Sequence, residues 1–390
     1  MQRGAAMDSS EAAGAPTPRR ILAIDGGGVR GLIPAEVLTR LEEALATRTG
    51  VTDARLADHF DLVAGTSAGA IIAVAIALRI PMREIRDFVL ANAPTMFRPA
   101  SWLRRLHYWY DKRQLEAELR ARFGADTTLG SEELRTLLLL VMRNASTDSP
   151  WLVSNNPRSP FNRRDLDDCN LNLKLWQLAQ ASAAAPTYFE PEVVTLGRAH
   201  AYRFVFVDGG LTGFNNPAFK AFLYATTGAY GIGWPTGEER LLLVSVGTGH
   251  LRQQDAVLEP RRMTLWYAMH EVPRALFYAA TREQDILCRT FGRCVMGAPI
   301  DLELGDLRQG RTAVEPRLFT YVRIDAPLSR DGLTELGCPD VDPDHVQRLD
   351  GFRHVGELLE VGGALAQRAL TEELLERLGP RAAGGIRLGS

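Results

Sequence analysis

Short apolar runs ending on glycines punctuate this chain, and they predict most of its elements. Arg20-Ile21-Leu22-Ala23-Ile24 leads into Asp25-Gly26-Gly27-Gly28-Val29-Arg30-Gly31, after which Leu32 to Thr47 carries apolar residues at helical spacing. Strand, glycine loop and helix is the simplest parse. Asp61 to Ala64 reads as a buried strand approached by a short helical Leu56 to Phe60, and Ala68 to Leu78 is too apolar to be anything but an interior element. An amphipathic helix is expected over Arg83 to Asn92, a helix closed by Gly124 over Gln114 to Phe123, and a buried strand over Thr136 to Met142. Ser146 to Asp168, polar and rich in turn residues, reads as a long ordered loop, and Leu171 to Ala185 as a helix stopped by Pro186. Two further strands, Phe204 to Val207 and Leu241 to Val246, feed Asp208-Gly209-Gly210 and Gly247-Thr248-Gly249-His250. From Arg261 onward the pattern is helical, with one strand at Leu318 to Ile324 and a charged amphipathic helix from Gly363 to Leu378.

No internal repeat or low-complexity linker divides the chain. The expectation is one large unit: a disordered leader over 1–19, a main domain over 20–250, a mainly helical extension packed on it over 251–378, and a disordered tail over 379–390. The leader lacks an apolar core, so neither a signal peptide nor an anchor is expected there. The longest apolar run, Ala68 to Leu78, is well short of the roughly 18 residues a spanning helix needs, so membrane contact would be peripheral. Met96 to Tyr110 interleaves aromatic with basic residues, which suits core packing or a surface lying among lipid headgroups.

Composition changes this picture little. With 390 residues, 46% hydrophobic and 24% charged, the chain resembles an ordinary globular protein, and a net charge of −2 gives no bulk attraction to DNA or RNA. Cys169, Cys288, Cys294 and Cys338 are scattered, without a paired motif or a histidine at ligand spacing. Reduced thiols are expected, with no zinc site and no cofactor.

The candidate chemistry centres on Gly65-Thr66-Ser67-Ala68-Gly69, lying between a strand and an apolar helix. Small residues two positions either side of Ser67 permit a sharp turn that exposes its hydroxyl over a helix N-terminus, as in a nucleophile elbow. Such a serine needs a base and oxyanion donors. The loop Gly26, Gly27, Gly28, Arg30, Gly31 offers free amides and a positive charge, although Gly26-x-Gly28-x-x-Gly31 also matches a dinucleotide fingerprint. Asp208 and His250 both end strands and are open alternatives for the base: Ser67, Asp208 and His250 stand in the chain order of an α/β-hydrolase triad, while Asp208 alone would form a dyad. A dyad requires a desolvated aspartate, since a carboxylate near its usual pKa of about 3.9 is a poor base.

Asp25 to Gly31, Gly65 to Gly69 and Asp208-Gly209-Gly210 together resemble the patatin-like phospholipase family, in that order and at similar spacing, and Leu56 to Asp61 and Ala183 to Phe189 add to the resemblance. It spans Arg20 to Gly249 and implies an α/β three-layer sandwich with a mostly parallel central sheet and a helical C-terminal addition. It also implies Ser67 as nucleophile, Asp208 as proton acceptor, the loop from Gly26 to Gly31 as oxyanion hole, and calcium-independent cleavage of lipid acyl esters, leaving His250 a bystander. The regions Asn155-Asn156-Pro157 and Leu287 to Asp301 resemble bacterial members that serve anti-phage signalling and are switched on by a cyclic dinucleotide. Arg261, Arg262, Arg282, Arg289 and Arg293 are candidates to meet its phosphates. A cytoplasmic enzyme acting at the inner membrane face, with room for a homo-oligomer, is the expectation; a non-specific esterase and a nucleotide-sensing binding module are the alternatives.

Overall fold

The computed structural model describes residues 17–96, 108–197, 201–250, 261, 264–301 and 303–379. Most of the aromatic and basic segment, and nearly all of the leader and tail, lie outside them. Arg19, expected in the leader, opens the first strand.

The central strands form one sheet because almost every residue in them is apolar and both faces are covered. β1 (Arg19–Ile24) pairs in parallel with β2 (Leu62–Thr66) on one side and β7 (Leu241–Val246) on the other. Beyond β2 lies β3 (Leu137–Asn144), also parallel, and beyond β7 lie β9 (Thr320–Ile324) and β8 (Arg293–Met296), again parallel. The antiparallel members gather at one end: β4 (Ser149–Ser154) and β6 (Tyr202–Asp208) pair with β3, and β5 (Glu192–Leu196) pairs with β6.

Alternation along the strands separates two cores. Leu22, Ile24, Val63, Leu138, Val244 and Ile324 point to one face. There they meet α1 (Leu32–Thr49), α2 (Ala68–Ala77), α5 (Leu175–Ser182) and α10 (Val355–Ala369). Ile21, Ala23, Leu62, Ala64, Leu139 and Leu243 point to the other, under α6 (Ala218–Thr226) and the C-terminal part of α7 (Leu265–Phe291). Helices on both faces of a mostly parallel sheet make the expected three-layer α/β sandwich. No helix among the described residues is long and apolar enough to cross a membrane.

Several elements differ from the sequence reading. The polar stretch after β3 is not all loop, since Ser149–Ser154 returns as β4; its Ser, Pro and Trp hid the pattern. β5 and β8 were likewise not expected. Helix α5 starts at Leu175 because Leu171 and Leu173 instead accept backbone hydrogen bonds from Gly130 and Leu129. The single helix expected over Gly363 to Leu378 is two: α10 ends at Ala369, and the Thr371 hydroxyl caps α11 (Glu372–Arg377) by accepting from the Leu374 amide. The sheet also runs on across residue 250, because β8 and β9 come from the region expected to be a helical extension. The C-terminal helices are tied back to the first strand: Arg20 donates to the carbonyls of Leu378 and Gly379.

Candidate active site

In a parallel sheet the loops that can carry chemistry collect at the carboxyl ends of the strands. Here β1 delivers the loop after Ile24, β2 delivers Ser67, and antiparallel β6 ends on Asp208 beside Met142 of β3.

Ser67 occupies the turn from β2 to α2 with φ 54 and ψ −124, a conformation that non-glycine residues rarely adopt. Its neighbours permit this. A Cβ at Gly65 would meet the Gly69 carbonyl oxygen at 2.2 Å, and one at Gly69 would meet the Ile24 carbonyl oxygen at 2.3 Å. The chain can therefore fold back on itself only with glycine at both places. The Ser67 amide donates to Ser182 Oγ at 2.8 Å, and that hydroxyl donates to the Val141 carbonyl at 2.6 Å. Two residues on, the Ala184 carbonyl accepts the Asp208 amide at 3.0 Å. One short segment at the end of α5 thus holds both the serine and the aspartate. Ser182 is a site residue that sequence reasoning misses, because a single hydroxyl amid alanines carries no signal.

Ser67 Oγ donates to Asp208 Oδ2 at 2.6 Å, and the Gly210 amide donates to Asp208 Oδ1 at 2.7 Å. Both side chains are buried, which pushes the Asp208 carboxyl up to about 6 against the weaker opposing effect of the hydrogen bonds from Ser67 and Gly210. Such a carboxylate is still ionised at neutral pH yet is a better base than an exposed one. Gly209 has to be glycine, since a Cβ there would lie 2.2 Å from the Val141 carbonyl oxygen.

His250 is engaged elsewhere, its Nδ1 lying 3.3 Å from Asp325 Oδ2, while the Ser67 hydroxyl bonds to Asp208. Asp325 and Asp25 share the buried Arg323, which donates to both oxygens of Asp25 at 3.1 and 2.7 Å, to Asp325 at 2.8 Å and to Ser245 Oγ at 2.7 Å. This group ties β1, β7 and β9 together directly before the glycine loop.

Within that loop the amides are unequal. Gly26 N–H donates to the Asn215 carbonyl, Val29 N–H to that of Leu349 and Arg30 N–H to that of Gly27. Gly27 and Gly28 have no such partner among the described residues. Asn215 Nδ2 and Thr248 Oγ1 donate to the Gly26 carbonyl, fixing the base of the loop. Gly31 lies against the elbow, where an added Cβ would meet that of Ala68 at 2.9 Å. The Arg30 side chain is fully buried and donates to Tyr278 of α7, while its Nε and Nη2 have no acceptor among the described residues.

The arginines expected to meet phosphate fare differently. Arg289 is consumed internally, paired to Asp285 and donating to the carbonyls of Ala298 and Asp306, so it is a packing residue. Arg282 pairs with Asp301, and Arg293 lies 3.6 Å from Glu238. Arg262 lies outside the described residues. Asn155 and Asn156 are buried: the first bridges Leu138 and Thr136 beside β3, and the second holds Tyr230.

A hydroxyl on a strained strand-to-helix turn, hydrogen-bonded to a buried carboxylate beside free backbone amides, is an arrangement suited to acyl transfer through a serine nucleophile. A model of patatin-like phospholipases matches residues 22–222, and the chain belongs to that family. It is 29% identical to Patatin-17 of Solanum cardiophyllum over 266 residues, 64% of this chain and 65% of that protein. It is 33% identical to a cGAMP-activated phospholipase of Escherichia coli strain TW11681, over 55% of this chain and 58% of that one. A cGAMP-activated phospholipase of Vibrio cholerae is 32% identical over 51% of this chain and 56% of its own. The chain therefore spans a little over half to about two thirds of the length of these relatives.

Two outcomes follow from the geometry. Ser182→Ala removes the acceptor of the Ser67 amide and should lower hydrolytic turnover about tenfold or more with the fold intact by circular dichroism. Asp208→Asn removes a carboxyl raised above its usual 3.8 by burial, so its ionisation costs the wild type stability that is lost progressively between about pH 4 and about pH 6 and stays lost above that. The variant should melt higher than wild type at pH 8, and the difference should vanish below about pH 4.

Proposed function

We propose that this protein is a serine lipid acyl hydrolase of phospholipase A type, cleaving membrane phospholipid esters through a dyad of Ser67 and Asp208. The observation that carries this is the 2.6 Å hydrogen bond from the strained Ser67 hydroxyl to a buried aspartate. In this reading Asp208 accepts the serine proton as Oγ attacks the ester carbonyl. The resulting oxyanion is received by the amides of Gly27 and Gly28 near the N-terminus of α2, with the Arg30 guanidinium adding positive charge. Asp208 then returns the proton to the leaving alcohol, and water activated by the same carboxylate releases the fatty acid. His250, engaged with Asp325, takes no part.

The substrate's surface is suggested by α7. Phe277, Tyr278 and Thr281 of this helix reach Gly210, Arg30 and Asn215. On the same helix Val272, Ala275, Leu276 and Ala279 are exposed, at spacings of three and four residues. An apolar stripe beside the dyad, with Leu276 at 65% exposure, suits shallow insertion into a bilayer from the cytoplasmic side. Activation by a cyclic dinucleotide is proposed from the two relatives that bear that activity in their names.

Free fatty acid release from mixed phospholipid vesicles tests the reading. With 3′,3′- or 2′,3′-cGAMP present, wild type should release fatty acid, while Ser67→Ala and Asp208→Asn should lose at least about three orders of magnitude. Release without nucleotide would keep the hydrolase and discard the gate; full activity in either variant would refute the dyad. The rate should fall as pH drops below about 6, where Asp208 takes up a proton. Leu276→Asp should depress vesicle hydrolysis severalfold and leave hydrolysis of a short soluble ester unchanged.

A further inference from the structure

The chain beyond α8 (Arg330–Leu336) brings together the side chains of His345, His354 and Glu357. His345, at the end of α9 (Pro343–Val346), places its Nδ1 2.9 Å from Glu357 Oε1, and His354, just before α10, places its own Nδ1 3.1 Å from the same oxygen. In a tetrahedral site with metal–ligand bonds of about 2.0–2.1 Å, neighbouring ligand atoms stand about 3.3 Å apart. The spacing found here is close to that.

An outer layer is present as well. His345 Nε2 faces Asp342 Oδ2 at 3.9 Å, and the second oxygen of Glu357 accepts the Asp342 amide at 3.1 Å. At 3.9 Å this carboxylate is not yet hydrogen-bonded to the ring, but a small rotation would let it accept from the imidazole and fix its tautomer once the other nitrogen ligates. The two rings lie stacked, centroids 3.5 Å apart and planes at 18°, so binding requires them to swing until their lone pairs converge. Both side chains are about a third exposed, which leaves room for that rotation.

We propose that His345, His354 and Glu357 bind one divalent transition ion of the zinc class, with water completing the coordination and Asp342 as the outer partner. Neutral imidazole and carboxylate are suitable ligands for such an ion. The spacing of these two histidines and one glutamate, eight residues and then two, matches no familiar cysteine-based pattern, so motif reading passes over it.

The position has a structural consequence. Joining His345 to His354 closes the loop 347–351, and the Leu349 carbonyl in that loop accepts the Val29 amide at 2.9 Å. The same carbonyl lies so near Gly28 that a Cβ there would meet it at 2.3 Å. The ion would therefore brace the support of the glycine loop from behind. This rests on the geometry of the cluster and not on the hydrolase reading.

The test is zinc binding by the full chain after chelator treatment, measured by calorimetry, with amide exchange at Val29 as the second readout. Wild type should bind one Zn²⁺ per chain; His354→Gln, which keeps a side chain able to donate to Glu357, and Glu357→Gln should each bind at least about tenfold more weakly, and Asp342→Asn about tenfold. Zinc should slow exchange at Val29 in wild type and not in His354→Gln. Wild-type binding that is absent, or equal to that of His354→Gln, would overturn the site; binding without slowed exchange would overturn its role as a brace. None of these readouts depends on catalysis, so inactivity toward lipid would leave the outcome readable.

Discussion

The hydrogen bond between Ser67 and Asp208 joins two segments 141 residues apart in the chain, and much of the fold exists to make it short. Neither residue is free to drift. The serine is pinned by its amide to Ser182 and by glycines that only just clear the neighbouring backbone. The aspartate is held by Ala184 through its amide and by Gly210 through its carboxylate. Burial then does the chemical tuning, since a carboxylate stripped of water is the better proton acceptor.

The strained turn at Ser67 needs a rigid floor, and the central sheet supplies it. Arg323, from a strand late in the chain, grips Asp25 and Asp325 in the interior and so locks the strands on which the glycine loop stands. A buried ion group of this kind is costly to desolvate, and removing one member would leave an unpaired charge. Its value here is placement: it fixes the direction in which the chain leaves β1. Thr248 and Asn215 then close on the Gly26 carbonyl, and the next two amides have no partner among the described residues.

The sandwich and the family were legible because apolar strands ending on glycines are a local signal, and Asp25 to Gly31, Gly65 to Gly69 and Asp208 to Gly210 each carry it. What was hidden depends on contacts that the local pattern of residues does not carry. Strand β4 begins with Ser149 and Pro150 and is a strand only because β3 offers it an edge. Ser182 matters through the backbone of Ser67, and Arg289 is consumed by carbonyls nine and seventeen residues further on. His345 and His354 meet only because the chain folds back through loop 347–351 onto the head of α10. Periodicity and motif spacing do not register such encounters.

The claim at the centre of this account is that Ser67 is the nucleophile, and covalent trapping addresses it most directly. Wild type treated with an alkyl fluorophosphonate and digested should carry one adduct, on the peptide containing Ser67, and Asp208→Asn should be labelled far more slowly at the same position. An adduct on another serine, or equal labelling of Ser67 in the presence and absence of the Asp208 carboxylate, would contradict the dyad.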